Sequence, residues 1–377
     1  MLVARVIANL EPGGAQLGAI RLMGALRDQG VASRLLVGEA TPEGRQLLRD
    51  AELEFEVWGG SGEDLQYACD RRFVGWLRPR LADADLVHGH MFGAWWAASE
   101  AARGEVPLAA SEHNAIRWPG SPRLAEMRRA LARVDACFAH GPAAAATVLD
   151  LGLPPARVHP AGSAIEQTSP MALPRLPRPR LIFAGRLHPE KGPDLLLEAL
   201  AQLREPVPAY MLGGGRLARY LRRRITTLGL QRSVELVGWQ RRVGPWLAGA
   251  GVCVVPSRAE AWSQTAVTAM AHRVPVVATS VDGLPLTLAN GRGVLVAPDD
   301  PARLASAISA VLAGDHAIDL DGAQRYAGQF SPSRVAARYA QVYRRLLAAG
   351  DRLQRLTRPE ARVYARSMVV RPSMWVS

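Results

Sequence analysis

Short apolar runs alternate with longer segments of helical periodicity along most of the chain. In the first part of the sequence the apolar runs predict strands at 2–8, 33–37, 54–57, 85–88, 106–110 and 136–139. Helical segments separate these runs, for example at 15–29, where Gly30 ends the predicted helix. Strands that alternate with helices are typical of a parallel sheet covered on both faces, so the pattern predicts a doubly wound α/β domain.

The stretch 167–180 interrupts this alternation. It carries four prolines and has no periodicity, which is typical of a stiff linker. A second series follows, with strands predicted at 181–184, 208–212, 233–237, 252–255, 275–278 and 293–296, and with a long helix from Ser331-Pro332 through Ala349. The pattern therefore predicts a first domain at 1–166, a linker at 167–180, a second domain at 181–350 and a basic tail at 351–377.

The composition is that of a globular protein, with 49% hydrophobic and 21% charged residues. No run approaches the roughly 18 apolar residues that span a bilayer, and the first residues lack the apolar core of a signal peptide. The three cysteines are far apart, and no His/Cys cluster has metal-ligand spacing. We expect a cytoplasmic protein with reduced thiols and with neither a bound metal nor another cofactor.

The net charge of +12 is divided unevenly, with −3 over residues 1–166 and +15 over residues 167–377. Basic runs such as Arg222-Arg223-Arg224 lack interleaved aromatic residues, which argues against a nucleic-acid partner. A small molecule that carries a polyphosphate is sufficient to explain the basic half. The predicted helix at 122–133 carries four arginines and could rest on an anionic membrane, but a solvated basic face is the favoured interpretation.

The most informative loop runs from Gly185 to Gly192, directly after the first strand of the second series. Lys191 is the only lysine in the chain, and Arg186 precedes it by five residues. Lysine binds phosphate as a compact point charge, whereas the planar guanidinium of arginine can donate two parallel hydrogen bonds to it. A strand, this loop and a helix that begins near Pro193 together predict an anion site, best suited to a diphosphate. The alternative is a lone lysine that survives by chance on the surface.

Other candidate residues fall where predicted strands end, which is where ligands bind in doubly wound sheets. Gly13 and Gly14 lack the spacing of a dinucleotide fingerprint, but they allow a ligand to approach the backbone at a helix N-terminus. His90 and His113 also follow strands. For each histidine alone a structural role is as good an explanation, and their shared location slightly favours function.

These motifs, from Leu2 to about Gly350, resemble those of the family-4 retaining glycosyltransferases of the GT-B fold. The resemblance is carried by the G-R-L-x-x-x-K-G loop, Val255-Pro256-Ser257-Arg258-Ala259-Glu260, Ala269-Met270-Ala271 and Pro275-Val276-Val277-Ala278, with support from the Gly-Gly turn, the H-x-H that ends at His90 and the Ser111-Glu112-His113-Asn114 segment. It implies two doubly wound Rossmann-like domains that face a central cleft. It also implies transfer of a hexosyl or N-acetylhexosaminyl group, from a nucleotide-diphosphate sugar expected to be UDP-linked, to an acceptor hydroxyl.

The resemblance assigns roles to particular residues. It implies catalytic roles for His113, Arg186, Lys191 and Glu260, donor binding by Gly13, Gly14, Gly185, Thr268, Gly283, Leu284 and Pro285, and acceptor binding by Glu11, His90 and Trp118. Arg186 and Lys191 would hold the diphosphate and offset its charge as it leaves. Glu260 would accept hydroxyls of the donor sugar, and backbone amides of the loop at Asp282 would meet the sugar and phosphates. The departing phosphate itself would act as the base.

One position departs from the family pattern. The second glutamate of the family's motif would fall eight positions after Glu260, where this chain has Thr268. In the family the glutamate at this position binds the nucleotide ribose, whereas a threonine supplies no charge. A changed nucleotide preference and a catalytically silent GT-B partner subunit therefore stay open. We favour an active enzyme because Arg186, Lys191 and Glu260 are all present.

The acceptor is less constrained. The slightly acidic first half suits a neutral or cationic sugar acceptor better than a phosphorylated lipid. Arginine in place of lysine, with abundant alanine, glycine and proline, indicates a GC-rich genome. Both features favour an enzyme of antibiotic or other natural-product biosynthesis that glycosylates an aminocyclitol or aminoglycoside. The alternatives are a glycosyltransferase for cell-envelope polysaccharide or glycolipid, and a GT-B nucleotide-sugar epimerase, which the motifs disfavour.

Overall fold

The structure is a computed structural model that describes residues 1–60, 65, 68–114, 122–166, 168, 176–177 and 179–357, with the backbone alone at 122–123 and 350–357. Within these residues the strands of the first sheet are β1 (Leu2–Leu10), β2 (Ala32–Ala40), β3 (Glu54–Val57), β4 (Leu86–His90), β5 (Leu108–Glu112), β6 (Ala136–His140) and β7 (Val158–Ala161). All of them pair in parallel, in the order β3-β2-β1-β4-β5-β6-β7.

The helices of the first half are α1 (Gly14–Arg27), α2 (Pro42–Asp50), α3 (Arg71–Leu77), α4 (Phe92–Ala102), α5 (Pro122–Ala132) and α6 (Pro142–Asp150), with 3-10 turns at Arg78–Arg80 and Pro155–Arg157. Side chains start two of them: the Thr41 hydroxyl accepts the Gly44 N–H at α2, and the Asp70 carboxylate accepts the Arg72 and Phe73 N–H groups at α3. No side chain caps α1, which begins after Gly13.

Both faces of the first sheet are covered, which explains why its strands are apolar along their length. On β1, Ala4, Val6 and Ala8 pack into a core with α3 and α4, whereas Ile7 and Leu10 pack into a core with α1 and α2. Successive side chains of a strand point to opposite faces, so a strand between two helical layers needs an apolar residue at nearly every position.

The second sheet, as far as the structure describes it, contains β8 (Leu181–Ala184), β9 (Ala209–Leu212), β10 (Val234–Gly238), β11 (Val252–Val255), β12 (Val276–Thr279) and β13 (Val294–Val296). These strands are also parallel, in the order β10-β9-β8-β11-β12-β13. The remaining helices are α7 (Pro193–Leu200), α8 (Ala218–Thr227), α9 (Gly244–Leu247), α10 (Gln264–Ala271), α11 (Leu284–Thr287), α12 (Pro301–Ala313), α13 (Leu320–Gly328) and α14 (Pro332–Thr357), with a 3-10 turn at Pro189–Lys191. The prediction of two doubly wound α/β sheets is confirmed.

Strand β7 has no counterpart in the prediction. Its sequence, Val-His-Pro-Ala, is short and contains Pro160, which favours a loop in a sequence-based reading. β7 pairs with β6 on one side and forms the edge of the sheet. A proline is tolerated there because an edge strand needs only half of its backbone hydrogen bonds.

Helix α14 lies against the first sheet although its sequence position places it in the second predicted domain. The Tyr343 hydroxyl accepts a hydrogen bond from Arg5 Nη2 at 2.8 Å. The Tyr339 hydroxyl lies 3.1 Å from His140 Nε2. The predicted divisions at 166 and 350 stay predictions, and the contacts of α14 show that chain position alone does not place this helix.

The predicted linker and tail fall largely outside the described residues. At the end of the linker, the buried Arg180 guanidinium donates to the Trp246 and Ala248 carbonyl oxygens and so fixes the start of β8. Residues 351–357 of the predicted tail continue α14.

The basic helix proposed as a membrane contact is partly neutralised, since Arg129 pairs with Glu126 and Arg133 pairs with Glu100. In the part of the chain that the structure describes, no helix combines the length and the apolar character needed to cross a bilayer.

Candidate active site

Two adjoining cavities lie between the two halves of the chain, at the carboxyl ends of β1 and β8. The larger cavity has a volume of about 520 Å³ and the smaller about 290 Å³. They share walls formed by Gly13 and Gly14 from the first half and by Gly185, Arg186 and Gln264 from the second. An elongated ligand could therefore pass from one cavity into the other across this shared wall.

Lys191 is held at the wall of the smaller cavity by a carboxylate. Its Nζ donates to Glu260 Oε2 at 2.7 Å, and the two side chains are only 22% and 11% exposed. The Ser257 hydroxyl donates to the same oxygen at 3.2 Å, and the Glu260 N–H donates to Asp282 Oδ2 at 2.9 Å. The ammonium and the carboxylate thus occupy fixed positions, both facing the cavity.

Arg186 lines both cavities and is held more loosely. Its side chain is 56% exposed, and Nη2 lies 3.4 Å from Glu190 Oε2. The N-terminus of α1 reaches the same wall, and no side chain caps its free N–H groups. A guanidinium, a nearby ammonium and a helix N-terminus attract anions. The structure therefore brings these groups together from both halves, and their role as an anion site stays a prediction.

Sequence reasoning missed a run of glycines that lines the larger cavity, Gly213-Gly214-Gly215. Gly213 has φ +145°, and a Cβ at this position would lie 1.9 Å from the Gly185 carbonyl oxygen. Only glycine allows that close approach, which supports the loop carrying Arg186. Three consecutive glycines directly after a strand were the signal in the sequence.

Gly213→Ala should therefore displace the loop at Gly185, lower the melting temperature by several degrees and weaken binding of a diphosphate. Gly214→Ala is the matched control, since its Cβ would meet no atom within 4 Å. Thermal melts of both variants, with and without UDP, test this. Equal melting temperatures for the two variants would show that the close approach does not matter.

Histidines from the ends of β5 and β6 reach the smaller cavity, where His140 is buried and His113 is half-buried. His113 and His140 line it, with their ring centroids 3.8 Å apart. Among the described residues His113 Nε2 has no hydrogen-bond partner. Burial lowers the pKa of His113 to about 4, so the ring is neutral near pH 7. A neutral ring at this position can accept or donate a hydrogen bond without adding charge.

Glu112 fixes the loop that carries His113. Its Oε1 accepts the His113 N–H at 2.9 Å and the Asn114 N–H at 3.1 Å, and its Oε2 accepts Trp95 Nε1–H at 3.0 Å. The carboxyl is fully buried, and burial raises its pKa to about 7. The sequence showed Glu112 only as part of a motif, because its burial depends on the packing of α4 against β5.

Known proteins match both halves of the chain. Residues 12–165 match the family model described as Glycosyltransferase Family 4, and residues 178–314 match the model described as Glycosyl transferases group 1. D-inositol 3-phosphate glycosyltransferase 1 of Catenulispora acidiphila is 34% identical over 310 residues, which cover 71% of this chain and 74% of that protein. The chain belongs to the family 4 glycosyltransferases.

Other members match over shorter lengths. D-inositol 3-phosphate glycosyltransferase 2 of the same organism is 37% identical over 182 residues, which is 44% of this chain and 43% of that relative, so the match spans less than half of its length.

Solved structures share the GT-B fold of the family. Anabaena Alr3699/HepE in complex with UDP-glucose has a TM-score of 0.75 at 22% identity, covering 91% of this chain and 99% of that one. Sucrose-phosphate synthase from Thermosynechococcus elongatus has a TM-score of 0.74 at 20% identity, covering 93% and 100%.

The acceptor residues expected in this family 4 glycosyltransferase are only partly brought to the cleft. Glu11 lines both cavities, and Trp118 lies outside the described residues. His90 lines neither cavity: it is buried, its Nε2 lies 3.1 Å from Arg5 Nη1, and its ring stacks on His88 at 4.4 Å. β4 extends to this residue and its side chain is buried, so the acceptor role of His90 stays a prediction without support from these two cavities.

The donor-binding role expected of the loop at Asp282 stays a prediction as well. Gly283, Leu284 and Pro285 line neither cavity. The Gly283 N–H donates to the Glu260 carbonyl at 3.1 Å, Leu284 is buried, and proline has no N–H to offer. The Gly283 N–H therefore supports the backbone of Glu260, and the Leu284 N–H donates to the Val281 carbonyl oxygen.

Thr268 is a buried residue of α10 that lines the larger cavity. Its hydroxyl donates to the Gln264 carbonyl oxygen at 2.7 Å, one turn earlier in the helix. The hydroxyl proton is therefore used within the helix, and the hydroxyl oxygen can only accept a further bond.

Proposed function

We propose that this family 4 glycosyltransferase moves a hexosyl or N-acetylhexosaminyl group from a UDP-linked sugar to an acceptor hydroxyl, with retention at the anomeric carbon. The observation that carries this proposal is the junction of the two cavities, where Arg186 and the uncapped N-terminus of α1 line both cavities and Lys191 lines the smaller one. The solved complexes of HepE with UDP and with UDP-glucose support the choice of donor.

The two cavities fit the two ends of such a donor. With the diphosphate at the shared wall, the larger cavity would take the nucleoside, and Trp239 at its edge offers an aromatic face for the base. The smaller cavity would take the sugar, where Glu260 and His113 offer hydrogen-bonding groups to its hydroxyls. The volumes, about 520 Å³ and 290 Å³, follow the same order as the sizes of the two groups.

The chemical step then follows from the charges. When the anomeric C–O bond breaks, its electron pair leaves with the diphosphate oxygen, and Lys191 and Arg186 stabilise the charge that develops there. The acceptor oxygen forms the new bond on the same face of the sugar and passes its proton to the departing phosphate. No side chain has to act as base. In the described residues no group of three or more His, Cys, Asp or Glu could hold a metal ion, and metal independence stays a prediction.

The acceptor is proposed to be a neutral or cationic cyclitol, such as an aminocyclitol of the aminoglycoside type. The described first-half residues at the smaller cavity are neutral or acidic, and they include Asn9, Glu11, Gln16 and Asn114. No arginine or lysine of that half lines this cavity among the described residues, so a phosphate on the acceptor would lack a partner. The second candidate is an inositol phosphate, which is favoured by the similarity to D-inositol 3-phosphate glycosyltransferases.

The experiment is a transfer assay in the presence of EDTA with UDP-glucose or UDP-N-acetylglucosamine. The acceptors are 2-deoxystreptamine, myo-inositol and inositol 3-phosphate, with lipid vesicles as a further arm. We expect UDP release and an α-linked product of 2-deoxystreptamine or myo-inositol, identified by the anomeric proton coupling in NMR. Transfer to inositol 3-phosphate alone would favour the second candidate, and transfer to lipid alone would contradict both. No UDP release with any acceptor would favour a silent partner subunit.

A further inference from the structure

Glu166 is a buried carboxylate at the wall of the larger cavity. Its Oε1 accepts from Arg242 Nε at 3.0 Å, and its Oε2 accepts the Val243 N–H at 2.9 Å and the Gly244 N–H at 3.3 Å. These bonds hold the start of α9. These bonds alone would give Glu166 a structural role. That role does not require Glu166 to line the cavity, which it also does.

Glu166 lies close to the turn of α10 that carries Thr268. A Cβ placed on Gly244 would be 3.1 Å from Glu166 Oε1 and 3.0 Å from His272 Nε2. His272 Nδ1 in turn lies 2.9 Å from the Thr268 carbonyl oxygen. The carboxylate and Thr268 thus both line the larger cavity, and neither of them lines the smaller one.

The carboxylate has capacity for one more hydrogen bond. An ionised carboxylate offers about four acceptor sites, and the bonds to residues 242–244 occupy three of them. The free site is on Oε1, beside an Arg242 side chain that is 60% exposed and can move aside. Among the described residues, the carboxylates that line this cavity are Glu11, Glu43 and Glu166. Glu11 and Glu43 are exposed, so Glu166 is the carboxylate with a fixed position.

We propose that Glu166 accepts a hydrogen bond from a ribose hydroxyl of the donor nucleotide and so supplies the carboxylate that Thr268 does not. This inference rests on the proposed function, because it needs a nucleoside in the larger cavity. Glu166 precedes the linker, and its other partners lie in the loop before α9, so ribose recognition is built from two segments outside α10. Buried charged acceptors discriminate strongly against a ligand that lacks the matching hydroxyl.

The test is calorimetric titration of UDP, 2′-deoxy-UDP and 3′-deoxy-UDP into wild type, Glu166→Gln and Glu43→Gln. Wild type should bind UDP at least about tenfold more tightly than one of the deoxy analogues. In Glu166→Gln this ratio should fall to within about threefold of unity, since an amide oxygen is a weaker acceptor than a carboxylate. Glu43→Gln, the same change at an exposed carboxylate of the same cavity, should keep the wild-type ratio. An unchanged ratio in Glu166→Gln would overturn the inference.

The measured quantity is the ratio of the affinities of one variant for UDP and for a deoxy analogue. A general loss of affinity in that variant affects both ligands and cancels in the ratio. Arg242→Ala keeps the carboxylate and removes its cation, and it should keep or increase the preference for UDP. If the preference collapses in Arg242→Ala as well, the loop and not the carboxylate recognises the ribose, and the inference is wrong. If wild type fails to bind UDP at all, the proposed donor is wrong. UDP binding with no preference over either deoxy analogue would reject this inference alone.

Discussion

Substituting Lys191 by alanine is expected to lower kcat for sugar transfer by about 10²–10³-fold, the loss typical of removing one donor that stabilises a developing oxyanion. Two effects combine at this position. The departing diphosphate would lose the ammonium that lines its cavity, and Glu260 would lose the 2.7 Å bond that fixes its carboxylate. Because Glu260 is only 11% exposed, water would replace that partner poorly. Steady-state kinetics with saturating donor measure the change.

Variants at other cations control for the loss of charge. Arg186→Ala should reduce kcat less, because the side chain is 56% exposed and its contact with Glu190 is long. Arg223→Ala removes an exposed cation of α8 that lines neither cavity, and it should leave kcat unchanged. A Lys191→Ala enzyme whose kcat stays within about threefold of wild type would contradict the role given to the ammonium.

Substituting Glu112 by glutamine is expected to remove a pH-dependent loss of stability. Burial raises the pKa of Glu112 from 4.5 to about 7, so the folded protein favours the protonated carboxyl. The stabilising effect of this group is complete below the unfolded pKa of 4.5 and is lost as the pH rises through 7. A shift of this size corresponds to about 3 kcal/mol, most of it lost between pH 5 and pH 8.

Urea unfolding at pH 5, 6.5 and 8 tests this. The free energy of unfolding of wild type should fall between pH 5 and pH 8 by about 2–3 kcal/mol more than that of Glu112→Gln. Glu105→Gln makes the same change at an exposed side chain and should behave like wild type. Parallel pH profiles for wild type and Glu112→Gln would show that the Glu112 carboxyl ionises freely in the folded state.

The sequence predicted those parts of the fold that local patterns determine. Strands buried on both faces are apolar throughout, so β8 and β11 were placed with their observed bounds. Arg186 and Lys191 were found from residue chemistry, because a loop between a strand and a helix N-terminus has few other uses for this pair. The edge strand β7 was missed, since its proline and its length resemble a loop.

The features that the sequence did not predict depend on contacts between segments that are distant in the chain. β4 continues two residues past its predicted end at 88, so His90 lies in the buried strand and not in the loop after it. The burial of Glu112, and the contacts of Glu166 with residues 242–244, arise only when separate elements pack together. The position of α14 against the first sheet is likewise set by the contacts of Tyr339 and Tyr343.

In the proposed mechanism Arg186 and Lys191 hold the diphosphate where the two cavities meet. Calorimetric titration of UDP and uridine into wild type and into the Arg186→Ala/Lys191→Ala double variant isolates the contribution of the diphosphate. Wild type should bind UDP at least about 100-fold more tightly than uridine, and the double variant should reduce this preference to about tenfold or less. A double variant that keeps the full preference for UDP would contradict the account.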